Sequence, residues 1–233
     1  MNDNGRRTTE STRLWLAALR GLARGFTYPD TGWVAALLDG QWPEALAAVL
    51  EPLGLSAEGV RQAIETLPEE LEMALQALQV EYTYLFINAV PHVPAPPYAS
   101  AYTGQGLLMG EPAEAALVAY RQAGLTLADD YRDLPDHVAA ELEFLAWLGE
   151  QALAAQEGGD EEQAGLRQAQ QQTFLSQQVR PWLPAFCRRV KEAARLPFYR
   201  ELACLAESLL SVDWTKLSRR KANYEQSQGL SML

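Results

Sequence analysis

Glu69-Glu70-Leu71-Glu72-Met73-Ala74-Leu75-Gln76-Ala77-Leu78-Gln79-Val80-Glu81-Tyr82-Thr83-Tyr84-Leu85-Phe86-Ile87 carries the clearest periodicity in the chain. Leu71, Leu75, Leu78, Tyr82 and Leu85 follow one another by alternating steps of four and three, the spacing of one buried helical stripe. The stretch therefore predicts a core helix over 69–87. Directly after it, residues 88–98 (Asn-Ala-Val-Pro-His-Val-Pro-Ala-Pro-Pro-Tyr) hold four prolines and cannot continue the helix. A loop this long and apolar either carries function or crosses between packed units.

Outward from this pair of segments, helical spacing dominates and strand alternation is absent. Leu14, Leu16, Leu19, Leu22 and Phe26 mark a first helix ended by Tyr28-Pro29, and Asp30 is placed to cap a short second one with Trp33, Leu37 and Leu38. Further helices are expected over about 43–53, 56–67, 112–124, 133–155, 161–179, 184–194 and 197–212. The expected fold is all-α, a bundle of about ten helices, taken either as one unit or as two sub-lobes joined by the loop 88–102. Residues 1–13 are expected to form a flexible lead, 14–212 the helical domain, and 213–233 a polar, lightly basic tail. The loop is also a place where two copies can exchange helices, so the chain is expected as a monomer or a domain-swapped homodimer.

Composition removes several classes of function. The 233 residues are 48% hydrophobic, enough for a sizeable core, and no run of about eighteen apolar residues is present to span a bilayer. Arg6-Arg7 stands near the start, but Arg20 and Arg24 break the following apolar segment, unlike a cleavable export signal. Cys187 and Cys204 lie in helical patterns far from metal-ligand spacing, which fits reduced thiols in the cytoplasm. The net charge is −11, and residues 125–162, with one basic and 11 acidic side chains, concentrate the acidity. A charge run of this kind serves either as a solvated face or as an attractor of cations. No basic stripe is interleaved with aromatics, so nucleic acid is not an expected partner.

The acidic segment contains Asp133-Leu134-Pro135-Asp136-His137, followed by Glu141 and Glu143. A helix starting near Leu134 places His137 and Glu141 on one face, with Asp133 at the N-cap and Asp136 able to accept from a first-turn N–H. A carboxylate, an imidazole and a second carboxylate one turn later can hold a divalent cation, so a metal-dependent hydrolase using Asp136, His137 and Glu141 is one reading. Histidine supply opposes it: the chain has two, and His92 sits in the proline loop. No nucleophile elbow is present, and Gly104-Gln105-Gly106 and Gly158-Gly159 lack the lysine and strand of a phosphate loop. No cofactor or metal site is expected, and the chain is not expected to be an enzyme.

Taken in order, Glu81-Tyr82-Thr-Tyr84-Leu85-Phe86, Pro96-Pro97-Tyr98-Ala-Ser100-Ala-Tyr102, Met109-Gly110-Glu111-Pro112 and Asp133-Leu-Pro-Asp136-His137-Val-Ala-Ala-Glu141-Leu-Glu143 resemble the TorD/DmsD family of redox-enzyme maturation chaperones. Phe174-Leu175, Pro181-Trp182-Leu-Pro184, Phe186 and Phe198-Tyr199 extend the resemblance, which covers roughly residues 70–210. The nitrate-reductase branch of that superfamily typically has a histidine-rich segment after its Leu-Phe helix, where this chain has Pro-Pro-Tyr. The resemblance therefore favours the branch serving dimethyl-sulfoxide or trimethylamine-oxide reductase type enzymes.

The resemblance implies a cytoplasmic all-α chaperone that binds the twin-arginine signal peptide and the apo form of a molybdopterin oxidoreductase and assists cofactor insertion before export. Such a peptide has a cationic head and an apolar stem, so its receptor needs carboxylates beside a hydrophobic groove. The resemblance implies Asp133, Asp136 and Glu141 as the carboxylates, with His137 among them. It implies Tyr84, Leu85, Phe86, Pro97, Tyr98 and Tyr102 as the groove, and Ser100 is counted among the peptide-binding residues. Each also has a scaffolding role open to it: core packing for Leu85 and Phe86, pinning of the loop for Tyr98 and Tyr102, capping for Asp133, and an imidazole held between carboxylates for His137.

Overall fold

In a computed structural model of the protein, residues 3–103, 108–129 and 131–211 are described, with side chains from Thr9 onward. The seam at 71–87 is helical as its spacing predicts, but in two gauges. An α-helix covers Leu71–Tyr82, and Thr83–Ile87 widens into a π turn in which Asn88 N donates to Thr83 O at 2.8 Å. The wide turn frees the Leu85 carbonyl, which accepts from Ala95 N at 3.0 Å and ties the proline loop to the helix.

Ten α-helices are present among the described residues: α1 Asp3–Gly25, α2 Thr31–Leu38, α3 Gln41–Leu50, α4 Glu58–Glu65, α5 Leu71–Tyr82, α6 Glu111–Gln122, α7 Val138–Glu157, α8 Glu161–Phe174, α9 Leu183–Ala193 and α10 Pro197–Ser211. No strand is present among them. Asp30 caps α2 as expected, its Oδ1 accepting from Trp33 N at 2.9 Å. The first helix begins at Asp3, so residues 3–13 are helical where the sequence reading places a flexible lead. Gly104 and Gly106, and the tail 213–233, lie outside the described residues.

Helix α7 forms the centre, packed along α1 on one side and α8 on the other, while α9 pairs with α10. Its Leu142, Leu145, Ala146 and Leu148 are wholly covered, and one hydrophobic core holds buried residues from both sides of the proline loop. Each fully buried leucine or phenylalanine contributes about 1.5–3 kcal/mol of transfer free energy. Close to the site, Phe26, Tyr82, Phe86, Phe186 and Tyr199 meet mostly edge to face at centroid separations of 4.8–6.4 Å. None of the described helices is long and apolar enough to cross a membrane.

One boundary differs in a way that matters for the site. The helix expected from about residue 133 starts at Val138, and its N-cap is His137, whose Nδ1 accepts from Ala139 N at 3.1 Å. Asp133 is thus not the helix cap; its Oδ1 accepts from Leu134 N at 2.8 Å. Two physical reasons account for the shift. Leu134 precedes Pro135 and is biased away from helical backbone. The backbone around His137 is also taken up by the proline loop: Val138 N donates to Pro97 O at 2.8 Å, Ala99 N to Asp136 O at 3.0 Å, and Tyr98 faces His137 as an antiparallel bridge.

Candidate functional site

The bridge between residues 97–99 and 136–138 fixes two kinds of acidic group at the start of α7. Asp136 is fully buried, and its Oδ2 accepts from Ser100 N at 2.8 Å. It therefore holds the loop rather than a first-turn N–H of its own helix. Ser100 sits beside it, equally covered, in the short 3-10 turn Ala99–Ala101. Glu141 is fully buried one turn further on, and its Oε2 accepts from the Trp182 indole N–H at 3.0 Å. Burial pushes the Glu141 carboxyl well above the ordinary carboxylate range; the Trp182 hydrogen bond opposes this and the nearby Asp136 adds to it.

His137 is 4% exposed. Its Nε2 lies 3.7 Å from Asp133 Oδ2 and 3.5 Å from the Tyr82 hydroxyl. Burial lowers its pKa and outweighs the opposing pull of Asp133 and Asp136, so the imidazole is neutral near pH 7. Its Nδ1, as acceptor for Ala139 N, leaves the neutral proton on Nε2.

Asp133 is the acid of this cluster that reaches water, with its side chain 41% exposed. It lines a cleft of roughly 490 Å³ together with Pro97, Tyr98 and His137, so four of the expected site residues come together there. Thr27, Tyr28, Tyr82, Ile87, Tyr131, Arg132 and Glu143 complete most of its wall. Tyr28 and Ile87 are half exposed, and Tyr28 packs edge to face on Tyr82 at 5.4 Å. The Tyr98 ring contacts His137 at 5.5 Å, and burial beside Asp133 raises its phenol pKa. Glu143 pairs with Arg20, which also bonds Glu150.

The remaining expected residues are elsewhere. Leu85 and Phe86 belong to the core. Tyr84 lies on another surface beneath the Arg195 guanidinium, and Tyr102 packs on Trp182 at 5.5 Å with Arg189 over its ring at 4.9 Å. Leu85, Phe86, Tyr84 and Tyr102 therefore do not share one groove with Pro97 and Tyr98. Alternation of faces along the wide turn at 83–87 explains the separation, since neighbours on a helical segment diverge by about 100°. Glu81, from the same motif, ties the chain together internally: its Oε1 accepts from Leu196 N at 3.1 Å just ahead of α10.

Tyr28, Ile87 and Tyr131 are cleft residues that the sequence reading does not single out. Tyr28 adjoins Pro29 at the end of α1 and Tyr131 neighbours the acidic motif; aromatic side chains next to turn signals are the available cue. As for metal chemistry, no group of three His, Cys, Asp or Glu able to hold an ion occurs among the described residues. Asp136 and Glu141 are each occupied with a protein donor and sealed from substrate.

A family model described as nitrate reductase delta subunit matches residues 54–188. A chaperone protein TorD of Vibrio cholerae serotype O1 (strain O395) is 31% identical over 170 residues, covering 72% of this chain and 75% of that one. The chaperone protein TorD of Photobacterium profundum is 32% identical over 157 residues, covering 67% and 70%. A crystal structure of a protein assigned to redox enzyme maturation from Archaeoglobus fulgidus aligns with a TM-score of 0.50 and 26% identity, over 84% of this chain and 93% of that one. These relatives are named as chaperones and maturation proteins, and none of these names supports the hydrolase reading.

Proposed function

The chain belongs to the nitrate reductase delta subunit family, among its TorD-like redox-enzyme maturation chaperones, and from that premise we propose that it binds the twin-arginine signal peptide of an apo-molybdopterin oxidoreductase in the cleft beside Asp133. The encounter belongs on the cytoplasmic side, before export, while the cofactor is being inserted.

The observation that carries this reading is the side-by-side placement of an exposed carboxylate, Asp133, and an apolar aromatic wall of Pro97, Tyr98, Tyr28 and Ile87. A guanidinium pairs well with such a carboxylate, and an apolar stem has somewhere to lie next to it. Neutral His137 adds no opposing charge. Asp136 acts from behind, by fixing the loop that shapes the wall, and a peptide reaches the oxygens of Asp136 and Glu141 only if their cover moves.

Calorimetric titration of the purified chain with synthetic twin-arginine signal peptides tests the proposal. Binding is expected, with an affinity that falls as salt rises and when both arginines are made neutral. Absence of binding across the signal peptides of candidate molybdoenzymes sinks it.

A further inference from the structure

Glu143 lies on α7 where two hollows meet. With Ala139 and Ala140 it lines the Asp133 cleft, and with Ala140 it also lines a neighbouring pocket of roughly 240 Å³ that Arg20 of α1 borders. Its side chain is 44% exposed, close to the 41% of Asp133. Among the described residues that line the cleft, these two carboxylates face one guanidinium, that of Arg132, beside a neutral His137.

Arg20 shows what Glu143 accepts, because a guanidinium already sits on it. That guanidinium meets Glu150 as a fork, Nε donating to Oε1 at 2.8 Å and Nη2 to Oε2 at 2.7 Å, and reaches Glu143 with Nη1 alone. One cation is thus shared between two carboxylates, and the two-point bond belongs to Glu150. Partial burial lifts the Glu143 carboxyl above its ordinary range; Arg20 opposes this and Glu150 adds to it, so a single guanidinium leaves Glu143 incompletely offset. A second guanidinium at Glu143 completes the charge balance and leaves Arg20 on Glu150. Arg20 is itself partly exposed, so Nη1 is then released to water rather than into the core.

We propose that Glu143 is the second carboxylate of the peptide cleft: one arginine of the twin pair meets Asp133, and the other takes Glu143 from Arg20, which stays on Glu150. Helix α7 rises about 9 Å between His137, which adjoins Asp133, and Glu143. Successive side chains of an extended peptide point to opposite sides, so two neighbouring arginines can reach both acids from one stretch of backbone. A lone arginine satisfies one acid and leaves the other as it was; the cleft therefore prefers an adjacent pair. The inference rests on the peptide-binding reading of the cleft and assigns it the residue that counts the second arginine.

The test is calorimetric titration of the full chain at low salt with a twin-arginine signal peptide and with two versions in which one or the other arginine is replaced by citrulline, its neutral isostere. Glu143→Gln is expected to weaken the twin-arginine peptide about two- to fivefold, as fits a partly exposed pair. That loss is expected to vanish for one citrulline peptide and to persist for the other, with Asp133→Asn showing the complementary dependence. Arg20→Gln removes the resident competitor and is expected to tighten binding about two- to fivefold; it reads the same exchange from the other partner should Glu143→Gln disturb α7. A merely structural Arg20–Glu143 pair makes both variants weaken binding, and that result overturns the proposal, as does a Glu143→Gln loss equal for the two citrulline peptides. Parent-like binding by Glu143→Gln overturns this inference alone, whereas a parent chain that binds no twin-arginine peptide overturns it together with the cleft reading.

Discussion

The indole N–H of Trp182 donates to Glu141 Oε2 at 3.0 Å, joining α7 to the start of α9 through the core. Because burial raises the Glu141 pKa well above its ordinary value, the sign of its contribution to stability is fixed. At low pH both folded and unfolded chains keep the proton. As pH rises past the ordinary carboxylate range, the unfolded chain releases it while the folded chain holds it, so stability falls. Glu141→Gln keeps an acceptor for Trp182 and removes the titration. Its stability relative to the parent chain is expected to be more favourable at pH 8 than at pH 4.5, measured by urea unfolding at both. Trp182→Phe, which leaves the buried acid without its donor, is expected to cost about 1–3 kcal/mol.

His137 behaves in the opposite sense. Its pKa is lowered by burial, so the folded chain resists protonation that the unfolded chain accepts. Stability is therefore full above the ordinary imidazole pKa and is lost as pH falls below it, through the folded value. His137→Asn retains a helix-capping side chain and is expected to flatten this acid-side loss, read from unfolding midpoints at pH 7.5 and 5.5. His137→Ala removes the bond to Ala139 N and is expected to cost about 1–2 kcal/mol at pH 7.5.

Asp133 and Asp136, three residues apart, should separate binding from folding. Asp133→Asn is expected to weaken twin-arginine peptide binding about three- to tenfold with stability nearly unchanged, as fits a partly exposed charge. Asp136→Asn, which disturbs the Ser100 N–H anchor, is expected to lower stability by about 1–2 kcal/mol while leaving peptide affinity within about twofold. Calorimetric affinity and urea midpoints on both variants decide the matter. The reverse pattern assigns the peptide to Asp136.

Gly149→Ala improves helix propensity yet is expected to destabilise by about 1–3 kcal/mol in thermal or urea unfolding. A Cβ at this point of α7 would collide with the buried Leu16 side chain of α1 and with Gln171 Nε2 of α8. Gln171 cannot simply swing away, because its Nε2 donates to Leu145 O at 2.7 Å inside the core.

Local signals suffice where one helix face or one cap decides the outcome. The Leu71–Leu85 seam gives α5 and its continuation, and Asp30 caps α2 as its position predicts. The order of motifs alone carries the resemblance to the family that the chain belongs to. The start of α7 lies later than the local pattern predicts because its competitor is distant: Pro97 O and Ala99 N capture backbone groups around His137, some forty residues later in sequence. Pro135 is a local warning against helix at Leu134, and the capping signal of Asp133 points the other way.

The sequence alone determined that the chain is helical, where most helices lie, and which residues cluster by motif, because helical periodicity and capping act over one or two turns. Which acids meet solvent was decided only by the tertiary structure. Asp133, Asp136 and Glu141 read alike along the chain, yet Trp182 and the Ser100 loop cover the latter two and leave Asp133 at the cleft. Desolvation depends on what packs over a group, and the covering residues come from parts of the chain that no local pattern connects to it.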